Sequence, residues 1–464
     1  MNAMAREKIP TSRVKRSATV GRLAASQAVR QFGTRAANVA RSDDAATEAL
    51  ARRQLETAKQ IVAVLGTMKG AAMKLGQVLS FLDVGLVPEP YREEFQAELA
   101  KLRDAAPRVS FKQMKKVIES DLEAPIDELF ASFDEEAIAA ASIGQVYRAE
   151  LPDGRAVAVK VQYPGVASAV RADMQNLGVI LRLLKGLAPG LDVRATANEI
   201  RDRIDDELDY ELEAQNQRRM ARIYRGHPFI FVPDVITSLS RERVLVSELV
   251  SGEGFEELKQ RSQEERDRLG EIVFRFFFGS MYRHHEFSGD PHPGNFLLLG
   301  DDRVAFLDFG LYKRIDASVA EFELQAARLY DEGDGAALID HLREGGFIGH
   351  ERKRDDARVL EQFRDITGWY LTDEEIALTP EIASQVAINM SDPRSPYYDQ
   401  MRHESLPPEH LFGRRLEMLT LAVMGQLRAR GNWYRIFREW MYDDAEPATE
   451  LGVLEREFYA GATA

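Results

Sequence analysis

The sequence predicts an α+β protein in two parts, a mixed strand-and-helix region followed by a mainly helical one. Three observations lead there. Residues 138–161 read as strand, turn, strand: the run through Gln145-Val146-Tyr147 reaches the turn Pro152-Asp153-Gly154, after which Val157, Val159 and Val161 alternate with Ala158 and Lys160. Further on, the loop Ser288-Gly289-Asp290-Pro291-His292-Pro293-Gly294-Asn295 precedes the short apolar strand Val304-Ala305-Phe306-Leu307, which runs into Asp308-Phe309-Gly310. The most apolar stretches, 177–187 and 272–281, are interrupted by Arg182 and Lys185 and by Arg275, and they suit buried helices.

Four regions follow in chain order. Residues 1–48 form a basic tail, in which residues 1–41 hold nine Lys/Arg against the single acid Glu7. That is a net +8, so the −14 of the whole chain leaves −22 on residues 42–464. In the tail Val20, Leu23, Ala24, Ala28, Phe32, Ala36 and Val39 fall near helical spacing among arginines. This pattern fits a helix lying on an anionic membrane surface, a solvated tail or an organelle transit peptide, and three destinations stay open. Residues 49–107 are a helical extension: Ile61, Leu65, Met68, Ala72, Leu75, Leu79 and Leu82 recur every three or four positions, with Lys74 and Gln77 off the buried stripe. The break Ala105-Ala106-Pro107 ends it.

Residues 108–250 make the mixed region. Ser110 with Gln113 predicts a capping box at its first helix. The strand pair follows, then an acidic run from Asp205 through Glu207, Asp209 and Glu211 to Glu213, and a strand over 243–250 that stops before Ser251-Gly252. Glu207 and Glu211 stand four apart, where like charges repel, so a nearby cation would offset them. Residues 251–464 are the helical region. Pro393 and Pro396 mark a loop there, and Trp433, Tyr434, Phe437, Trp440 and Met441 are read as core packing.

The chemistry lies in the spacing. A phosphoryl-transfer site needs metal ions held by an aspartate and an asparagine, and a second aspartate facing the attacking oxygen. Asp290 is the candidate for the second role; Asn295, five positions on, and Asp308, thirteen beyond that, are placed to converge on one metal. Lys160, opposite the three valines of its strand, is placed to reach nucleotide phosphates.

With these segments in view, the chain resembles the UbiB/AarF/ADCK atypical kinase-like family over roughly residues 65–313. Met73-Lys74-Leu75-Gly76-Gln77 resembles that family's Lys-x-Gly-Gln signature, Glu207-Leu208-Asp209 its Glu-x-Asp element, and Ala139-Ala140-Ala141-Ser142 its Ala-rich replacement for a Gly-rich phosphate loop. Glu213 resembles the helix glutamate that pairs with the strand lysine, here Lys160. The resemblance implies a bilobal protein-kinase-like fold: a mixed N-lobe, a helical C-lobe and a family-specific helical extension that covers the pocket. It implies ATP or ADP with Mg²⁺ as cofactors. Ile138, Ala139, Ala140, Ala141, Ser142, Val146, Lys160, Glu248 and Val250 would contact the nucleotide, the last two at the adenine hinge. Asn295 and Asp308 would hold the metal, Asp290, Lys160 and Glu213 would serve catalysis, and Lys74, Gln77, Glu207 and Asp209 would gate the pocket. Ser288 and Gly289 stand where a protein kinase has His and Arg, His292 where it has a lysine, and no Ala-Pro-Glu follows Asp308-Phe309-Gly310, so a peptide acceptor is not expected.

Composition narrows the rest. With 45% apolar residues and no cysteine, the chain buries a large core and excludes disulfides, thiolate metal sites and cysteine catalysis. The acidic body gives nucleic-acid binding no support. No apolar run of about eighteen residues spans a membrane. The expected protein is cytoplasmic or peripheral at a membrane, an atypical kinase or ATPase serving isoprenoid-quinone or related lipid metabolism, with a lipid or quinone precursor as partner. A small-molecule phosphotransferase of the aminoglycoside or choline kinase type and a non-catalytic pseudokinase are the rival readings.

Overall fold

The structure, a computed structural model, describes residues 109–141, 143–174, 206, 208–349, 355–391, 395–401 and 404–462. The basic tail, the helical extension with Lys74 and Gln77, the run 177–187, Ser142 and Glu207 lie outside the described residues. The chain divides into two compact units, Met1–Glu211 with Ser238–Val246, and Leu212–Thr237 with Ser247–Ala464.

In the first unit helix α1 (Phe111–Leu122) buries Met114, Val117 and Ile118, one face at i, i+3, i+4 spacing, and packs on strand β3 (Ala156–Gln162). Its expected capping box does not form. The Ser110 hydroxyl donates to the Gln113 side-chain oxygen at 3.1 Å, because the Ser110 carbonyl already accepts from the Gln113 and Met114 amides at 2.9 and 3.2 Å. Strands β1 (Ser132–Ala141), β2 (Gly144–Glu150) and β3 run antiparallel in the sheet order β1-β2-β3, with β5 (Val244–Glu248) beyond; β4 (Ile230–Phe231), which precedes β5 in the chain, belongs to another sheet. The predicted alternation holds: Val157, Val159 and Val161 are fully buried, while Lys160 lies on the opposite face. The fifth strand is shorter than the expected 243–250, and Val250 lies past its end.

The Ala-rich stretch needs correction. Ala139, Ala140 and Ala141 are not a loop but the end of β1, paired with Val146, Gln145 and Gly144. A hairpin turn around Ile143 leaves the small alanines on an edge strand whose register shifts at Ala137. Gly144 is the position that tolerates no side chain, since a Cβ there would sit 2.2 Å from the Val161 carbonyl oxygen.

The second unit is organised by helix α3 (Gln263–His284), whose Ser262 and Glu265 form a reciprocal capping box. Nearly its whole middle is buried, including Phe274, Phe276, Phe277 and Phe278, so it is the helix around which the others pack. Helices α4 (Ala317–Asp331), α5 (Asp356–Leu371), α6 (Pro380–Ser391), α7 (Leu411–Leu427) and α8 (Trp433–Met441) follow; α7 and α8 lie against α3, α6 against α7 and α8 against α5. Trp433, Phe437 and Met441 are buried in this core, as their spacing predicts. Among the described residues no helix is long and apolar enough to cross a membrane.

Arg275, the charge inside the phenylalanine run of α3, is fully buried. It bonds Glu271 at 2.7 Å, Glu439 at 2.8 and 2.9 Å and Glu455 at 2.9 Å. At the end of α3, His284 meets the Tyr459 hydroxyl at 2.9 Å. Burial, with the Arg283 charge, lowers its pKa to about 4. The folded imidazole is therefore neutral where an unfolded one, near 6.5, takes up a proton. Stability should fall as pH drops from 6.5 to 4, by roughly 3 kcal/mol from this group, given 1.36 kcal/mol per pKa unit. Urea unfolding of the native chain and of His284→Gln at pH 7 and pH 4 checks this; the variant should lose less.

Candidate active site

Two nested antiparallel pairs place the acidic motifs of the second unit. The outer pair is β6 (Glu286–Ser288) with β9 (Tyr312–Arg314), in register Ser288 opposite Tyr312. The inner pair is β7 (Phe296–Leu298) with β8 (Val304–Phe306), Phe296 opposite Phe306. Gly289–Asn295 is the connection from β6 to β7, and Leu307–Leu311 the connection from β8 to β9. Two segments eighteen residues apart in sequence, counted from Asp290 to Asp308, thus run side by side.

Backbone bonds close the gap at both ends. The Leu307 amide donates to the Asn295 carbonyl at 2.8 Å, and the Gly289 amide to the Leu311 carbonyl at 2.6 Å. In the middle the Ser288 hydroxyl donates to the Asp308 carbonyl at 3.0 Å. The sequence makes the loop rigid: Pro293 opens a single 3₁₀ turn, the His292 ring nitrogen accepts from the Gly294 amide at 3.0 Å, and the Asn295 amide bonds the His292 carbonyl at 2.9 Å. His292, which stands at the lysine position of protein kinases, is thus a turn-forming residue.

Asn295 turns its Nδ2 to the Asp290 carbonyl at 3.1 Å, which leaves its Oδ1 as the group able to face a cation. Asp308 fastens one carboxylate oxygen to the Gly310 amide at 3.1 Å. Phe309 is fully buried in the core around α3, where Phe306 stacks on Phe276 with ring centroids 3.6 Å apart, so the loop carrying Asp308 is anchored from beneath. The strand seen in sequence as 304–307 ends at Phe306.

Helix α2 (Tyr210–Ile223) brings Glu213 to the same loop. Glu213 is buried, and its carboxylate and that of Asp308 each lie 3.5 Å from where a Gly310 Cβ would be. Two carboxylates flanking one glycine favour either a nearby cation or the protonation of one of the pair. Among the described residues no three His, Asp or Glu side chains cluster to hold a metal unaided. An amide oxygen and one carboxylate do fit Mg²⁺, which takes few protein ligands and completes its shell with water and phosphate oxygens.

In the first unit the register puts Ala139, Val146 and Lys160 in one row across β1, β2 and β3, on the face opposite the buried valines. The Lys160 ammonium lies 5.0 Å from the Tyr210 ring centroid. Gln162, buried beside it, donates to the Leu208 carbonyl at 2.8 Å and the Glu242 carbonyl at 3.1 Å, fixing the chain ahead of α2. Asp209 caps that helix, accepting from the Glu211 amide at 3.0 Å. Ile138 is 53% exposed. In the second unit Glu248 accepts from the Asp234 amide at 2.9 Å and donates its own amide to the Asp234 carbonyl at 2.9 Å. Gly252 beyond it is required, since a Cβ would meet the Leu298 carbonyl oxygen at 2.4 Å.

Sequence reasoning passed over several of these residues. Asn216 donates to the Phe309 carbonyl at 3.3 Å, and Arg219 pairs with Glu286. Their one visible signal was the spacing of three and six from Glu213.

With this geometry established, comparison with known proteins identifies the class. Residues 101–328 match the ABC1 atypical kinase-like domain. The chain is 33% identical over 309 residues to the mitochondrial atypical kinase coq-8 of Caenorhabditis elegans, covering 65% of this chain and 40% of that protein. It is 30% identical over 371 residues to the mitochondrial atypical kinase COQ8B of Danio rerio, covering 77% and 58%. It is also 30% identical to the mitochondrial atypical kinase COQ8 of Saccharomyces cerevisiae over 303 residues, 65% of this chain and 60% of the other. The matched region therefore spans about half the length of these curated relatives. Among solved structures, the Rv3197–erythromycin complex from Mycobacterium tuberculosis matches with a TM-score of 0.62 at 31% identity, covering 88% of this chain and 100% of that one. The protein belongs to the ABC1 atypical kinase-like family, and its fold is α+β and kinase-like.

Proposed function

We propose that this protein binds ATP or ADP with Mg²⁺ and acts as an atypical kinase or ATPase in isoprenoid-quinone or related lipid metabolism. The observation that carries the reading is the nested pair of ladders, which sets Asp290, Asn295 and Asp308 on adjacent connections with Glu213 beside them. Asn295 and Asp308 hold the metal, which when bound neutralises phosphate charge. Lys160 binds phosphate oxygens, Glu213 orients Lys160, and Ala139 and Val146 cover the nucleotide from the same sheet face. The backbone at Glu248 and Val250 receives the adenine. Asp290 accepts the proton of the attacking hydroxyl or water. The named relatives, atypical kinases of mitochondria, support a quinone-linked role, and the erythromycin complex of the mycobacterial relative supports an organic second ligand.

The test is nucleotide affinity measured by calorimetry with and without Mg²⁺. Asp308→Asn should weaken Mg²⁺-dependent binding by on the order of 10- to 100-fold, the loss typical even of outer-sphere changes at a metal. Equal affinity in variant and native chain would overturn the metal assignment.

A further inference from the structure

Helix α2 touches the motif loops at more places than Glu213. Asn216, three residues on, donates its Nδ2 to the carbonyl of Phe309 at 3.3 Å. Arg219, three further, pairs its Nε with the buried carboxylate of Glu286 on β6. Glu286 also receives the Arg314 guanidinium of β9 at 3.1 Å. Burial works to raise the Glu286 pKa, but the Tyr312 hydroxyl and the Arg314 and Arg219 guanidiniums outweigh it, and the carboxylate stays ionised well into acid. Residues at i, i+3 and i+6 form one slanting row along a helix, so a single row meets the Gly310 position, the Phe309 carbonyl and the outer ladder in turn. Beside this row, buried Gln217 donates to the Pro233 carbonyl at 2.8 Å, and just past the end of α2 the Tyr224 hydroxyl hydrogen-bonds Ser280 of α3 at 2.8 Å.

We infer that Asn216 and Arg219 are positioning residues, which clamp α2 to the Asp308-Phe309-Gly310 loop and hold the Asp308 and Glu213 carboxylates in fixed register. The physical reason is the loop's chemistry. The Phe309 side chain is anchored in the core, but its carbonyl joins no ladder pair of β8 or β9, and Asn216 supplies the donor it needs. Arg219 ties the helix to the ladder that closes the loop, so a shift of α2 would break a half-buried, charge-assisted contact. The clamp makes the loop and the helix one rigid piece. This inference rests on the proposed nucleotide chemistry only for its kinetic consequence.

The experiment uses the full chain and two readouts. Hydrogen exchange of residues 307–312 should rise roughly 5- to 10-fold in Asn216→Ala, and as much in Asn216→Asp, which keeps the size but loses the donor. Arg219→Ala should do the same and Arg219→Lys, which keeps the charge, should recover part of the protection. Exchange within α3 should stay at the native level, and Arg222→Ala, exposed on the same helix, should change nothing. Where turnover is measurable, kcat should fall by a similar factor with KM within about twofold, the loss expected for one neutral hydrogen bond. Native exchange at 307–312 in both Asn216 variants would overturn the clamp. So would an equal rise through α3, which would mark general destabilisation. If the native chain bound no Mg²⁺-nucleotide, the proposed function would fail while the exchange data still decided the clamp.

Discussion

Arg275→Ala should destabilise the second unit by about 3–5 kcal/mol, the range measured when one partner of a buried ion pair is removed. The side chain is fully buried in the middle of α3, and three carboxylates, Glu271, Glu439 and Glu455, converge on its guanidinium. Burial opposes the charge, but the Glu439 hydrogen bonds and the Glu455 and Glu271 charges outweigh it, so the group is protonated at every accessible pH. Without it three acids lie together with the Thr449 hydroxyl, His227 and the Arg283 charge for company. Gly452 shows how closely the cluster is fitted, since a Cβ there would lie 2.7 Å from the Arg275 Nη2 and 2.8 Å from a Glu439 oxygen. A loss of this size is a large fraction of the roughly 5–15 kcal/mol that holds a domain folded. The check is the urea midpoint of the native chain against Arg275→Ala and Arg275→Met. The methionine fills the volume but leaves the acids unpaired, so it should rescue little; a native midpoint in either variant would show that the acids simply protonate at small cost.

That arginine marks where sequence reading stops. A charge inside Phe274-Arg275-Phe276-Phe277-Phe278 reads as an interruption, because only Glu271 is near it in sequence and its other two partners, Glu439 and Glu455, lie 164 and 180 residues away. Local patterns were legible where local physics sets them. The valine alternation of β3 fixed which face Lys160 takes, and Pro293 with Gly294 fixed the turn before Asn295. Trp433 and Phe437 at helical spacing declared a core face. The alanines ahead of Gly144 misled because the family resemblance made them a phosphate loop, whereas pairing with β2 makes them the end of an edge strand. Contacts such as Asn216 with Phe309, 93 residues apart, were invisible for the same reason as those of Arg275. Proximity was set by two nested ladders whose pairing no single segment encodes.

Asp290→Ala separates chemistry from binding, and the geometry says why. Asn295 is held by the carbonyl of Asp290, at 3.1 Å, and by the His292 turn, not by the Asp290 side chain. Removing the carboxylate should therefore leave the Asn295 and Asp308 oxygens where they are, and nucleotide affinity with Mg²⁺ should stay within about twofold. If Asp290 takes the proton of the acceptor, kcat should fall by roughly 10²- to 10⁴-fold, the usual worth of a positioned general base. Asp290→Asn should match the alanine in turnover, since an amide of the same shape has no basicity to offer. ATP hydrolysis and transfer to a phenolic quinone precursor, each followed in the native chain and both variants, read the outcome. Turnover retained in both variants would remove Asp290 from the chemistry. A native chain that binds Mg²⁺-nucleotide tightly yet turns over nothing would make these residues the pocket of a non-catalytic nucleotide-binding protein.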